Sequence, residues 1–208
     1  MKKIVFITGA TAGFGEACAH TFAANGYSLI LNGRRVERLQ ALQQKLEQQY
    51  GTKSHLLPFD VQDQTAVFNS ITQLTEEWRA IDVLINNAGL ALGRDHFQDA
   101  LLDDWNQMID TNVKGLLYIS KAVLPFMINR KKGHIINVGS IAGKEVYEKG
   151  NTYCASKHAV DAISKAMRVD LLRHKIKVTG IHPGAADTEF SLVRFKGNEE
   201  NARKVYEG

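Results

Sequence analysis

Apolar residues fall along this chain in two alternating patterns: short blocks with almost no polar interruption, and longer stretches with a helical stripe. Residues 3–8 are the first block, with Ile4, Val5, Phe6 and Ile7 in succession, as in a parallel strand covered on both faces. A helix over 15–25 follows, closed by Gly26, and then a second strand over 28–32. Val36, Leu39, Leu42 and Leu46 form one stripe of a helix over 36–50, opposite Gln, Glu and Lys, and Gly51 ends it. Residues 56–59 read as a third strand, Asp63 as the N-cap of a helix running to Trp78, and 81–85 as a fourth strand. A long helix over 105–129 is expected to bend or break at Gly115 or Pro125. A strand over 134–138, a helix over 153–174 and a strand over 177–181 bring the strands to six. Beyond Pro183-Gly184 the regularity fades, and 198–207 reads as one more helix. Strands alternating with helices predict an α/β protein with a Rossmann-type, doubly wound parallel sheet.

Composition narrows the class. A chain of 208 residues suits one domain, and 44% hydrophobic with 23% charged residues is the mixture of an ordered globule. No apolar run reaches the ~18–20 residues of a membrane span. The opening Met-Lys-Lys leads into a strand and a glycine-rich turn rather than a secretory leader, so a cytoplasmic protein is expected. Cys18 and Cys154 stand in no metal-ligand spacing and are expected as free thiols, with no metal site. The net charge of +4 is scattered, Lys131-Lys132 and Arg34-Arg35 being the basic pairs, and no basic stripe with interleaved aromatics speaks for nucleic acid.

The candidate chemistry starts where the first strand enters Thr8-Gly9-Ala10-Thr11-Ala12-Gly13-Phe14-Gly15 and a helix follows. Glycines there let the backbone approach a pyrophosphate and let the helix N-terminus offer it free N–H groups. A dinucleotide site for NAD carries an acidic residue about 20 positions further on. This chain has Asn32-Gly33-Arg34-Arg35 instead. Guanidinium groups bind a 2′-phosphate through charge-assisted hydrogen bonds, which points to NADP; two arginines opening a helix on a wet surface are the plainer alternative. Further along, Tyr153 and Lys157 stand one helical turn apart. A tyrosine titrates near ~10, and an ammonium ~4 Å away favours its phenolate by about 4 kcal/mol at a dielectric of 20. A lowered Tyr153 pKa is therefore expected, with desolvation working against it.

The Thr-Gly-x-x-x-Gly-x-Gly turn, Asn86-Asn87-Ala88-Gly89, and the ordered set Asn112, Ser140, Tyr153 and Lys157 resemble the short-chain dehydrogenase/reductase family over essentially the whole chain. The resemblance implies a catalytic tetrad of those four residues. Tyr153 would be the acid/base and Lys157 its partner at the nicotinamide ribose. Ser140 would orient the substrate oxygen, and Asn112 would support a proton-relaying water. It implies cofactor contacts from Gly9, Thr11, Ala12, Gly13, Phe14, Gly15, Arg34, Arg35, Asp60, Val61, Asn87, Ala88, Gly89, Tyr153, Lys157, Pro183, Gly184 and Thr188. Residues 185–208 would form a substrate lid on a single domain spanning 1–208.

Residues 89–93, 109–112 and above all 188–197 are similar to NADP-dependent 3-hydroxy acid dehydrogenases, which implies a small hydroxy acid as substrate. Arg194 or Lys196 is the candidate for its carboxylate, with a solvent-facing loop charge as the alternative. The same tetrad also fits a 3-oxoacyl-carrier-protein, dicarbonyl or ketone reductase, and the nucleotide end alone fits a non-catalytic NADP(H)-binding regulator. Relatives generally continue with another helix and a seventh edge strand, so a longer natural chain is expected, and with it a homo-oligomer, either tetramer or dimer.

Overall fold

The computed structural model describes residues 2–186 and 188–203. Six parallel strands form one sheet: β1 (Ile4–Ile7), β2 (Ser28–Asn32), β3 (Ser54–Leu57), β4 (Ile81–Asn86), β5 (Gly133–Val138) and β6 (Ile176–Ile181), in the order β3-β2-β1-β4-β5-β6. The order reverses direction at β1, and the crevice at such a switch point is where open α/β sheets bind ligands.

The uninterrupted apolar blocks are explained by helices on both faces. Along β1, Ile4 and Phe6 enter one core and Val5 and Ile7 the other, the period-two alternation of a strand. Val5 and Ile7 meet α1 (Gly13–Ala24) through Ala19 and Ala23, and α2 (Val36–Tyr50) through Leu39, Leu42 and Leu46. Phe6 and Leu84 meet α3 (Gln64–Thr72) through Val67 and Ile71. They also meet α6 (Leu116–Arg130) through Ile119, Val123 and Met127.

Several boundaries differ from the sequence reading, each for a local reason. The third strand ends at Leu57 because Pro58 has no N–H to continue the ladder. Asp63 does cap α3, its Oδ1 accepting from Ala66 N at 2.9 Å. The helix stops at Thr72, however, and a separate short turn, α4 (Glu76–Arg79), carries Trp78. Arg79 donates to the carbonyls of Leu74 (2.7 Å) and Thr72 (3.1 Å) and so stabilises the break. The long central helix begins earlier, as α5 (Leu102–Ile109), and passes through a π-helical turn over Asp110–Gly115 before α6. Pro125 lies inside α6. The next helix, α7, spans Asn151–Asp170, followed by a 3₁₀ turn at Leu172–His174. After β6 come α8 (Glu189–Arg194) and α9 (Glu199–Arg203). The end of the helix expected over 198–207 lies outside the described residues, as does Asp187. Cys18 is half-buried and Cys154 buried, both as free thiols.

Between β4 and β5 the sheet carries buried amides. Asn86 Nδ2 donates to Ser120 Oγ and Asn137 Oδ1, both at 2.9 Å, and Asn137 Nδ2 donates to Ser164 Oγ at 2.9 Å. These bonds tie α6 and α7 to the sheet just below the carboxyl ends of the strands.

Candidate functional site

The carboxyl ends of the strands open into a cleft of about 560 Å³, lined from the glycine-rich turn at one end to Tyr153 and Arg194 at the other. At the nucleotide end the turn owes its shape to two glycines with left-handed backbone, Gly9 (φ 63°) and Gly13 (φ 53°). Asn87 braces it, donating through Nδ2 to the carbonyls of Thr8 (2.9 Å) and Gly9 (3.1 Å), while Thr8 Oγ1 accepts from Asn87 N and Ala88 N. The N-cap of α1 is Ala12, which has no side chain to satisfy the first N–H groups of the helix. Ala12, Gly13 and Phe14 line the cleft, so this uncapped N-terminus is open to an anion.

Gly15 does not line the cleft. A Cβ there would lie 2.2 Å from the Gly9 carbonyl, so its part is to let α1 pack against the turn. Arg34, Arg35, Asp60, Val61, Ala88, Gly89, Pro183, Gly184 and Thr188 do line it. Thr188 also caps α8, its Oγ1 accepting from Phe190 N at 3.2 Å.

The arginines carry protein partners. Arg34 pairs with Asp60 at 3.3 Å, and Arg35 reaches Glu189 at 3.0 Å and Thr11 Oγ1 at 3.1 Å. Arg38, which the sequence reading passed over, donates to both oxygens of Glu189 at 2.7 and 2.9 Å. Its place one turn after Arg35 was the available signal. Together Arg38 and Arg35 hold the Glu189 carboxyl below its usual range. These pairs are half exposed and individually weak, and they join the first turn of α2 to the first turn of α8.

At the other end, Ser140 follows β5 and caps a 3₁₀ turn over Ile141–Gly143, its Oγ accepting from Ala142 N at 3.1 Å. Tyr153, in the first turn of α7, is 9% exposed and lines the cleft beside Ser140. Its ring packs 5.8 Å from that of Phe190 on α8 and lies 6.0 Å from Lys157 Nζ. Lys157 is buried and donates to the Val138 carbonyl at 3.0 Å.

The electrostatics correct the sequence expectation. Burial pushes the Tyr153 pKa up rather than down; the Ser140 hydrogen bond and the Arg194 guanidinium oppose that rise. Burial likewise lowers Lys157 to about 8. At 6.0 Å from the ring centroid and bonded to a carbonyl, the ammonium does not acidify the phenol in this arrangement.

Asn112 lies behind the cleft wall rather than on it. Its amide makes a reciprocal pair with Leu90, accepting from N and donating to O at 2.8 Å each, and also donates to Ser156 Oγ at 3.0 Å. The side chain thereby fastens the π-turn to the loop after β4 and to α7, with both of its N–H groups engaged.

Of the two lid cations, Lys196 pairs with Asp104 at 3.0 Å and does not line the cleft. Arg194 does line it, 8% exposed, with its guanidinium carbon 5.6 Å from the Tyr153 ring centre. It donates from Nε to the Gly93 carbonyl (3.0 Å) and from Nη1 to the Tyr147 hydroxyl (3.1 Å), while Gly93 N donates back to the Arg194 carbonyl (3.0 Å). Tyr147 carried no signal in the sequence; it comes to the cleft through its loop. Among the described residues no group of three or more His, Cys, Asp or Glu side chains is placed to hold a metal, and no helix is long and apolar enough to cross a membrane.

Comparison with known proteins follows the same lines. The family model for short chain dehydrogenase matches residues 3–198. The NADP-dependent 3-hydroxy acid dehydrogenase YdfG of Salmonella typhi is 50% identical over 205 residues, which cover 98% of this chain and 81% of that protein. The sulfoacetaldehyde reductase of Chromohalobacter salexigens is 45% identical over 209 residues, covering 100% of this chain and 82% of the relative. Among solved structures, the closed form of serine dehydrogenase complexed with NADP+ superposes with a TM-score of 0.92 at 47% identity, covering 99% of this chain and 82% of that one.

Proposed function

The chain belongs to the short-chain dehydrogenase family, and on that premise we propose that it interconverts a small 3-hydroxy acid with its 3-oxo acid or semialdehyde, using NADP(H). When bound, the cofactor supplies the hydride donor or acceptor. Gly9, Ala12, Gly13 and Phe14 would hold its diphosphate, and Arg34 and Arg35 its 2′-phosphate. A left-handed glycine turn opening an uncapped helix suits the first task, and paired guanidiniums suit the second. The observation that carries the reading is the convergence of Ser140, Tyr153 and Arg194 on one wall of the cleft.

In the reductive direction Tyr153 gives its proton to the carbonyl oxygen, which Ser140 holds by a hydrogen bond. A phenol kept neutral by burial is in the form this step requires. In the oxidative direction the same oxygen must accept the alcohol proton, so hydroxy acid oxidation is expected to accelerate as pH rises above neutral. Arg194, already held over Tyr153, would take the substrate carboxylate and fix the distance from carboxylate to reacting carbon.

The first experiment is reduction of NADP+ at mildly alkaline pH with L-serine, 3-hydroxypropionate and 3-hydroxyisobutyrate, against NAD+. Turnover with a hydroxy acid and a preference for NADP+ are expected; a panel that reacts only as simple ketones and alcohols overturns the substrate class. Arg194→Ala is expected to raise KM for the hydroxy acid about tenfold or more, as loss of a charged hydrogen bond implies, with KM for NADP+ unaltered. An unchanged hydroxy acid KM removes Arg194 from the carboxylate site. A second reading, a hydroxy sulfonate as substrate, draws on the 45% identical sulfoacetaldehyde reductase and on a guanidinium's ability to bind either oxyanion. Adding 2-hydroxyethanesulfonate to the panel decides between them.

A further inference from the structure

Behind the wall formed by Ser140, Tyr153 and Lys157 lies a charged cluster with no part in the chemistry above. Asp161 sits on α7 one turn beyond Lys157 and two beyond Tyr153. Its carboxylate pairs with Lys144 at 2.8 Å and Lys165 at 2.7 Å, and faces His182 Nε2 at 3.4 Å. The two ammonium groups hold its pKa down at about 2, so it is charged at any working pH.

Two of these three partners come from other elements of the catalytic wall. Lys144 directly follows the 3₁₀ turn that Ser140 caps. His182 immediately precedes Pro183, at the end of β6. Its Nδ1 lies 3.3 Å from the Ser140 carbonyl, and a Cβ on Gly139 would come within 2.6 Å of that nitrogen, so the glycine makes room for the ring. Backbone bonds then join the two turns, Gly139 N to Ile181 O at 2.7 Å and Ile141 N to Pro183 O at 3.1 Å. The turn meets α7 closely, since a Cβ on Gly143 would lie 2.5 Å from the Lys157 carbonyl. The separation of Ser140 from Tyr153 is therefore set by how this pair of turns seats on α7, and Asp161 is an α7 side chain that pairs with Lys144 beside the first turn and lies against His182 beside the second.

We propose that Asp161 is a positioning residue for the reaction: by holding Lys144, with His182 packed against its carboxylate, it seats the Ser140 and Pro183 turns against the helix that carries Tyr153 and Lys157. The proposal rests on the reading of Tyr153 as the acid/base. Lys165 provides an internal control, because it pairs with the same carboxylate from within α7 and, among the described residues, joins no second element.

The test compares Asp161→Asn, which keeps the shape and removes the charge, with Lys144→Gln, Lys144→Arg and Lys165→Gln, measuring kcat, KM for both substrates and Tm. A small misplacement of reacting groups is costly, so D161N is expected to lower kcat about tenfold while KM for NADP+ stays within about twofold. K144Q should fall in the same direction, K144R should recover most of that loss, and K165Q should stay near the parent. A D161N kcat within about twofold of the parent overturns the proposal, and so does a K165Q loss equal to that of K144Q. Should D161N not fold, K144Q against K144R and K165Q carries the decision alone, since Lys144 is partly exposed. Tyr153→Phe is run beside them. If it is inactive while D161N is not impaired, only the role of Asp161 falls; if it keeps full activity, the acid/base reading itself falls.

Discussion

The two halves of the cleft are built from different materials. Around β1 to β3, binding surface is made of backbone and exposed charge: a glycine turn, an uncapped helix end, and arginines paired with carboxylates at the rim. Around β4 to β6 it is made of buried side chains, Ser140, Tyr153 and Lys157, backed by buried amides, Asn86, Asn112 and Asn137, whose polar groups are tied to backbone and neighbouring side chains. Exposed charge is screened and adjustable, whereas buried polar groups are costly to disturb and hold fixed distances. The first half should therefore govern affinity and the second half rate.

The sharpest way to break that contrast is Tyr153→Phe. Loss of a positioned acid should lower kcat by about 10²–10⁴-fold, while the NADPH dissociation constant, followed by nucleotide fluorescence, stays near the parent value. A comparable loss of affinity would blur the two halves.

Lys157→Met probes what the buried half costs the fold. The Lys157 pKa is about 8 in the folded protein against 10.5 for an unperturbed lysine, so between those values the unfolded chain holds more protons. The penalty for burying the ammonium is present in full below about pH 8 and fades as pH rises toward 10.5. K157M should therefore be more stable than the parent at pH 7 by up to about 3 kcal/mol, and the gap should close on the alkaline side. Denaturant titrations at pH 7 and pH 10 give the comparison, and a constant gap would count against it.

On the nucleotide side the effects should be smaller. Arg35→Ala should weaken NADP+ about ten- to a hundredfold, the worth of a charged hydrogen bond, with little change for NAD+. Equal losses for the two nucleotides would mean that the guanidinium does not meet the 2′-phosphate. Smallest of all should be Arg38→Gln, whose hydrogen bonds among the described residues go to Glu189. Exposed pairs contribute about 0.2–1 kcal/mol, so NADPH release should quicken less than about fivefold, and added salt should erase the difference.

The contrast also explains what could be read in advance. The alternation of strands and helices, the glycine turn and the Tyr153/Lys157 spacing are local patterns, and the ordered set Asn112, Ser140, Tyr153, Lys157 rests on family likeness. What escaped reading is tertiary. Nothing near Glu189 in the sequence announces partners 151 and 154 residues away. Tyr147 and Asp161 acquire meaning only once Arg194, Lys144 and His182 are folded beside them. The direction of the Tyr153 shift was misjudged because a helical spacing gives the distance between two side chains but not how dry their surroundings are. Gly15 packs against the Gly9 carbonyl, a close approach that no spacing rule reveals.

The π-helical turn over Asp110–Gly115 has one more consequence. A wide turn takes up one residue more than a regular one, so the helix beyond it keeps its phase although each α-helical residue accounts for about 100° of rotation. Deleting a single residue there would let α5 and α6 run on as one regular helix with Ile119, Val123 and Met127 still on the sheet side, at the expense of the turn that holds Asn112 against Leu90 and Ser156. The extra residue therefore serves the backing of the cleft rather than the core.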